Sequence, residues 1–328
     1  KLTINAALNG SVSTNKGFAG GVAPMDYATT TNRIINPDVF YQKTATYDYN
    51  DNVQSLGYNF INERNNSSAS SSSTHLSASL DLKWDILDWL SYQFTGGYSN
   101  TSSNSESYMT EQTYYIAQKY RGYDYNSVTP GSAEFKAAVL PFGGELYNND
   151  GRQSSYNIQN KILISKAFDQ NNRLNALIGM ELRSSTNKSL GHTMWGYAPD
   201  RGEVILRPTT LSDFQPITGS GQSGWGILEE LYSGHWSKTN VTDNYLSFFA
   251  TFAYSFMNRY VVNANVRNDA SNRFGQDTNH RFDPTYSFGF SWRASEEEFI
   301  KKHLKWITDL NIRATYGIQG NALTRLSP

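Results

Sequence analysis

Apolar and polar residues alternate strictly along several stretches of this chain. In the clearest stretch, from His75 to Ile86, the apolar positions are Leu76, Ala78, Leu80, Leu82, Trp84 and Ile86. A period of two places every apolar residue on one face of a β-strand. The stretch therefore predicts a long strand with one apolar and one polar face.

The same alternation recurs along the chain as paired strands joined by tight turns. The strand from His75 is followed by a turn at Leu87–Asp88, and alternation resumes at once. Two further hairpins are predicted with turns at Asp169–Asn172 and Met257–Arg259. With single strands near Leu2, Tyr286 and Leu310, the pattern predicts about nine strands. Each hairpin strand is long enough to cross a bilayer at a tilt.

The connections between these strands alternate in length. The tight turns alternate with connections of roughly fifty residues at 13–71, 102–152 and 187–241. Outer-membrane barrels have short periplasmic turns and long extracellular loops. The long connections are therefore predicted to lie outside the cell.

One short connection is expected to contain a helix. Ser295 to Trp306 has an apolar face, and Glu298 follows Ser295 by three residues. This spacing predicts a capping box that starts the helix at Ser295.

Composition supports a membrane barrel rather than a soluble domain. Aromatic residues make up 14% of the chain and charged residues only 17%, against roughly 25% charged in soluble domains. The mean hydropathy of -0.57 excludes a helical membrane protein but not a barrel, whose apolar residues occupy alternate positions. The absence of cysteine excludes disulfide frameworks and thiol chemistry. The net charge of -1 gives no support for nucleic-acid binding.

The fold class predicted is therefore all-β, a transmembrane antiparallel β-barrel. Bacterial single-chain barrels have an even number of strands, and open sheet edges do not occur in lipid. We expect residues 1–328 to form part of one barrel domain that other strands close. Aromatic residues near the tight turns are expected to form an interfacial girdle: Trp84, Trp89, Phe256, Tyr260 and Trp292.

Five segments together resemble a known family. They are Tyr58–Arg64, Asn268–Gly275, Phe282–Thr285, Trp292–Phe299 and Leu310–Asn321. They are similar, in this order, to the segments Y-N-x-L-N-E-R, R-x-D-G-S-S-R-F-G, F-P-S, W-R-x-S-x-E-x-F and L-K-L-R-x-S-Y-G-x-T-G-N of SusC/RagA-type TonB-dependent outer-membrane transporters.

The resemblance implies an integral protein of the bacterial outer membrane, with a barrel of about 22 strands around a plug domain. It implies energy supplied through TonB, a SusD-like surface lipoprotein as partner, and a glycan or peptide as substrate. It also implies that the plug and TonB box precede Lys1 and that the closing strands follow Pro328.

Two groups of residues are candidates for binding. Polar residues expected to face the lumen and the plug are Asp81, Lys83, Arg173, Glu181, Arg183, Arg267, Asp269, Arg293 and Arg313. Aromatic residues of the long loops are expected to contact substrate or partner, since their faces stack on sugars and pack on peptide side chains. These are Tyr114, Tyr115, Tyr120, Trp195, Tyr197, Trp225 and Trp236. Lumen solvation and loop-on-loop packing are the corresponding structural alternatives.

No catalytic motif, metal-ligand spacing or cofactor-binding motif is recognisable, so we expect no enzyme activity, metal or cofactor. Three functions stay open at this point. They are the barrel of an active importer, a structural or adhesive barrel without transport, and a soluble glycan-binding β-domain.

Overall fold

The structure is a computed structural model that describes residues 1–19, 21–45, 54–206, 235–273 and 282–320. Most of these residues are in antiparallel strands. The strands are β1 (Leu2–Gly17), β2 (Tyr41–Ala45), β3 (Gln54–Tyr58), β4 (Ser67–Leu87), β5 (Leu90–Met109), β6 (Gly144–Ala167), β7 (Arg173–Ala198), β8 (Val204–Ile205), β9 (His235–Phe256), β10 (Tyr260–Ser271), β11 (Phe282–Arg293) and β12 (Asn311–Ile318).

Nine long strands form one continuous antiparallel sheet within the described residues. Its order is β1-β4-β5-β6-β7-β9-β10-β11-β12, with the short β8 paired to β7, and β2 and β3 form a separate ribbon. The prediction of about nine strands is confirmed, and the sheet is a partial barrel.

The two faces of the sheet differ as the alternation predicts. Leu80 and Ile86 are exposed on the outward face of β4, and Ile178 on that of β7. Exposed Phe248 and Phe288 continue this face onto β9 and β11. Lipid solvates a face of exposed large apolar residues, whereas water does not.

The tight turns lie where the sequence predicts them. At the β9–β10 turn, Met257 and Asn258 have φ values of 53° and 56°, the conformation of a type I′ hairpin. In the β6–β7 turn, Asp169 Oδ1 accepts hydrogen bonds from the backbone N–H groups of Asn171 (2.7 Å) and Asn172 (2.8 Å). These side-chain bonds replace backbone pairs that the reversal breaks.

The long connections are shorter than predicted because the strands continue into them. Strands β6 and β7 have 24 and 26 residues, whereas a bilayer needs only about 9–11. The predicted loop bounds 13–71, 102–152 and 187–241 are therefore wrong. The upper strand segments are rich in Ser, Thr and Asn on both faces, so they show no alternation, yet their ladders pair throughout.

Short helices lie almost entirely in the connections. They are α1 (Pro24–Thr30), α2 (Phe60–Asn65), α3 (Tyr114–Ile116), α4 (Ala133–Ala137) and α5 (Glu298–His303), with a π-helical turn at Ala117–Arg121. No helix among the described ranges is long and apolar enough to cross a membrane.

The predicted capping box at Ser295 is wrong. Ser295 lies in a 3₁₀ turn, and α5 begins after Glu297, which makes no side-chain capping bond. The backbone N–H of Ser295 instead donates to the carbonyl of Leu310 at 3.2 Å. This long-range bond, which sequence spacing does not reveal, moves the start of the helix.

Candidate functional site

Strand register gathers the predicted inward residues into lateral rows. Asp81, Glu181 and Asp269 fall in one row, since the paired positions connect them through Thr95, Gln159 and Ser247. The next row towards the turns contains the cations Lys83, Lys161 and Arg267. An acidic row therefore lies beside a basic row on the polar face.

The two rows form an ion-pair network at β7 and β10. The guanidinium of Arg267 lies 2.8 Å from Asp269 and 3.7 Å from Glu181. It also donates to Ser247 Oγ at 2.9 Å and lies 5.7 Å from the ring centre of Phe249. Arg183 lies 3.4 Å from Glu181 on the other side. Because these side chains are partly exposed, each pair contributes at most about 1 kcal/mol, and the network mainly fixes charge positions.

The other predicted inward residues do not join this network. Asp81 accepts from Thr95 Oγ1 at 2.9 Å, and Lys83 pairs with Asp85 at 3.5 Å. Arg173, Arg293 and Arg313 are exposed on the same face nearer the turns. The structure thus places all nine on the polar face but brings only four together. Their contact with a plug stays a prediction.

Small side chains leave a shallow concavity of about 450 Å³ above the rows. Gly97, Ser99 and Ser155 form its floor, and Arg183 stacks over Tyr245 at 5.2 Å in its wall. Asn157 Oδ1 is buried there without a hydrogen-bond partner among the described residues. Buried amide oxygens are nearly always bonded, so this position suits a donor from an inserted group.

The loops over the polar face are held by Glu145 at the upper end of β6. Its carboxylate accepts from Tyr115 Oη at 3.2 Å, from Lys119 Nζ at 3.0 Å and from Tyr120 Oη. Trp195 Nε1 donates to Tyr120 Oη at 3.0 Å. Glu145 is on the inward face, so these contacts fix the segment after β5 against the inside of the wall. We call residues 54–66 and 110–143 the loop cluster.

Arg121 and Glu111 form a second centre of the loop cluster. Arg121 is 1% exposed, and its guanidinium donates to the carbonyl of Glu111 at 2.7 Å. Desolvation by burial lowers the pKa of this side chain. The Glu111 carboxylate accepts from Gly143 N at 2.6 Å and from Arg201 at 3.0 Å. An adjoining open cavity of about 680 Å³ is lined by Arg121, Tyr123, Tyr125, Phe135, Phe142 and Arg201.

The segment Tyr58–Arg64 joins α2 to the 110–143 part of the loop cluster. Asn59 Oδ1 accepts from Asn62 N at 2.8 Å and so caps the helix. Glu63 is 3% exposed and accepts from the backbone N–H groups of Tyr114 (2.7 Å) and Tyr115 (3.3 Å). Burial raises the pKa of Glu63 more than these hydrogen bonds lower it. This segment, which resembles a motif of the family, therefore stabilises the fold of the loops.

Replacing Glu63 by Ala is expected to loosen the loop cluster while the barrel stays folded. Two backbone donors, one of them fully buried, would lose their acceptor, at about 1–3 kcal/mol for each. Limited proteolysis should then cut residues 110–143 faster, with the heat-modifiable barrel band unchanged. Glu134→Ala, an exposed site in α4, is the matched control. Equal protease resistance of both variants would contradict the role given to Glu63.

Most of the predicted loop aromatics pack inside the protein. Tyr114, Tyr120, Trp195 and Tyr197 are buried and Tyr115 is half-buried. Trp195 and Tyr197 lie in β7 and not in a loop as predicted, because that strand continues to Ala198. Tyr120 and Trp195 pack in one apolar cluster and Tyr114 in another, and Tyr197 contacts Tyr108 of β5, so the packing alternative describes these rings. Their contact with substrate or partner stays a prediction.

Trp236 differs from these residues, since it is exposed while its ring stacks on His192 at 4.7 Å. Trp225 lies outside the described residues.

Sequence reasoning missed the buried and half-buried charges that organise the loops. Glu111, Arg121 and Glu145 are not in recognisable motifs, and only Glu63 lies in a segment singled out from the sequence. A buried charge is visible only once its partners are known. No group of three or more metal-ligating side chains occurs in the described part of the chain.

No family model matches this chain. TonB-dependent receptor SusC of Bacteroides thetaiotaomicron is 23% identical over 263 residues, which are 70% of this chain and 24% of the relative. TonB-dependent receptor P39 of Formosa agariphila is 35% identical over 91 residues, 27% of this chain and 8% of the relative. TonB-dependent receptor P26 of the same organism is 25% identical over 179 residues, which are 55% of this chain and 16% of the relative.

Solved structures show the same fold. The structure of the RagAB peptide transporter matches 98% of this chain and 31% of its own, with a TM-score of 0.58 and 20% identity. The RagAB peptide importer in its 'open-open' state matches 96% of this chain and 30% of its own, with a TM-score of 0.57 and 21% identity. At this identity the likeness establishes the fold alone.

The chain spans about a quarter or less of the curated relatives that it matches. The matches in sequence and in fold agree with the segments that carry the resemblance. They confirm the resemblance: this chain is similar in sequence to TonB-dependent receptors that include SusC, and its partial barrel has the fold of RagAB.

Proposed function

We propose that this chain is the barrel portion of an outer-membrane active transporter that imports a bulky nutrient, a glycan or a peptide. One observation carries the proposal. The sheet is apolar outside and charged inside, and folded loops lie against its inner face. A wall of this kind suits a wet passage through a membrane with a constricted entrance.

Residues 1–328 form part of a single barrel domain in this proposal, with the plug and the closing strands elsewhere in the same protein. The acidic and basic rows contact the plug, together with Arg173, Arg183, Arg293 and Arg313. A charged, hydrated contact of this kind can be released without exposing apolar surface. This makes it suited to a plug that must move or rearrange during transport.

The loop cluster forms the extracellular entrance and meets two partners. One is the substrate, for which the cavity beside Arg121 offers aromatic faces next to polar groups. The other is a SusD-like surface lipoprotein that docks over the loops, with Trp225 and Trp236 as contact residues. TonB supplies energy through the plug. The SusC and RagAB matches support these assignments.

The chemistry of the proposed function is binding and gating. The similar proteins bear the names of receptors and transporters, which supports a role without bond-making catalysis. No cofactor is required for it.

Uptake and surface binding should separate transport from adhesion. Cells lacking the full-length protein are compared with complemented cells on a panel of labelled glycans and peptides, with and without a protonophore. We expect one nutrient class to enter only complemented cells, with entry abolished by the protonophore and surface binding retained. Surface binding without energy-dependent uptake of any compound would favour an adhesive barrel instead.

A further inference from the structure

The segment between β11 and β12 is fastened to the periplasmic rim of the barrel by one carboxylate. Glu297 accepts hydrogen bonds from Tyr260 Oη at 2.5 Å and from Trp292 Nε1 at 3.1 Å, and it pairs with Arg259 at 3.1 Å. The Tyr260 hydroxyl and the Trp292 indole lower the pKa of Glu297. The carboxylate therefore stays charged and holds the start of α5 in place.

The two aromatic partners place this segment on the lipid side of the wall. Tyr260 pairs laterally with Phe256 and Trp292, and all three belong to the outward apolar face. The ring of Tyr260 stacks with Phe256 at 6.3 Å and with Phe290 at 6.5 Å. Aromatic residues at this level of a barrel form the interfacial girdle. Since Glu297 bonds to the outer side of that girdle, α5 lies beside it.

The free face of this segment combines large apolar groups with cations. Phe299 is 54% exposed and Trp306 is 78% exposed. Lys302 and Lys305 are exposed, with no ion pair to any described residue, whereas Lys301 is paired with Glu296 at 2.5 Å. Exposed Trp and Phe next to Lys is the composition of elements that lie in a membrane interface, where rings enter the headgroup layer and ammonium groups meet phosphates.

We propose that residues 298–306 form a phospholipid-binding anchor in the periplasmic leaflet of the outer membrane. Phe299 and Trp306 insert between headgroups, and Lys302 and Lys305 bind their phosphates. The anchor rests on the proposed membrane position of the barrel. It fixes the depth of the rim and supports the β11–β12 connection from the lipid side.

Site-directed spin labelling tests the anchor, since this chain has no native cysteine and any cysteine elsewhere in the full-length protein can be replaced by serine. The full-length protein is labelled at Phe299→Cys and reconstituted in vesicles of phosphatidylethanolamine and phosphatidylglycerol. Accessibility to oxygen and to a water-soluble nickel chelate then reports the environment. Ile178→Cys is the lipid reference, since Ile178 is 57% exposed on the outward face. Gln170→Cys, exposed in the β6–β7 turn, is the water reference.

The label at position 299 should be reached by oxygen several-fold better than by nickel, as at 178 and unlike 170. Adding Trp306→Ala, Lys302→Gln and Lys305→Gln should lower the ratio of oxygen to nickel access at position 299 towards the ratio at position 170. A label at 299 that matches 170 from the start, or that neither reagent reaches, would overturn the anchor. A label at 178 that matches 170 would refute the membrane position itself, and with it the proposed function.

Discussion

Replacing Leu80 by Arg is expected to destabilise the folded barrel by about 2–4 kcal/mol. Leu80 is exposed on the outward face of β4, where its lateral partners are Ala6 and Gly96. A guanidinium there must snorkel to the headgroups or draw water into the hydrocarbon layer, and both cost free energy. The measurement is the loss of the compact heat-modifiable band of the reconstituted protein, followed by its midpoint in denaturant.

Ser79→Arg is the matched control for this substitution. Ser79 is the adjacent residue and belongs to the polar face, opposite Gly97, which has open space around its Cβ position. The new side chain meets water there, so the band should remain nearly unchanged. If Ser79→Arg is the more damaging, the inside and outside assignments are reversed, because a shift of one residue exchanges the faces. Equal damage from both would contradict a membrane barrel.

Gly196→Ala is expected to destabilise the C-terminal end of β7 by more than about 2 kcal/mol. Gly196 has a φ of 86°, and a Cβ at this position would lie 1.7 Å from the carbonyl oxygen of Leu206. The same two residues are joined by a hydrogen bond from Leu206 N to Gly196 O at 2.8 Å. Backbone must therefore move, and the pairing of β7 with β8 and the burial of Trp195 are lost. Rapid proteolysis at 199–206 and within 110–143 would show this.

Gly202→Ala separates the steric clash from the backbone conformation. Gly202 has a nearly identical φ of 85°, but nothing lies within 4 Å of its Cβ position. Only the left-handed conformation is penalised, by roughly 1–2 kcal/mol, so the loops should stay protease-resistant. If both variants are cut at the same rate, the close approach of Gly196 and Leu206 does not hold this region together.

The alternating half of the sheet was predictable from residue order alone. One apolar and one polar face require opposite polarity on successive residues, so alternation revealed the strand from His75 to Ile86 and its neighbours. This requirement for alternating polarity ends where the apolar outward face ends. Ser67–Ser71 and the upper parts of β5, β6 and β7 pair as regular ladders, yet they lack strict alternation and fall within the predicted loops.

The candidate site depended on tertiary structure in a different way. Alternation correctly assigned Glu181, Arg267 and Asp269 to the polar face, but only the register between strands brings them into contact. Residue spacing likewise predicted a helix after β11, whereas the bond between Ser295 and Leu310 decided where it begins.

Sequence by itself determined the fold class, the tight turns, the facing of the strands and the family resemblance. Each of these follows from short-range order along one strand or one motif. Tertiary structure alone decided the strand ends, the charge rows, the partners of the buried Glu63 and Glu111 and of the half-buried Glu145, and the covering of the predicted loop aromatics. These depend on partners far apart in the chain, because a buried charge is tolerated only where distant donors converge on it.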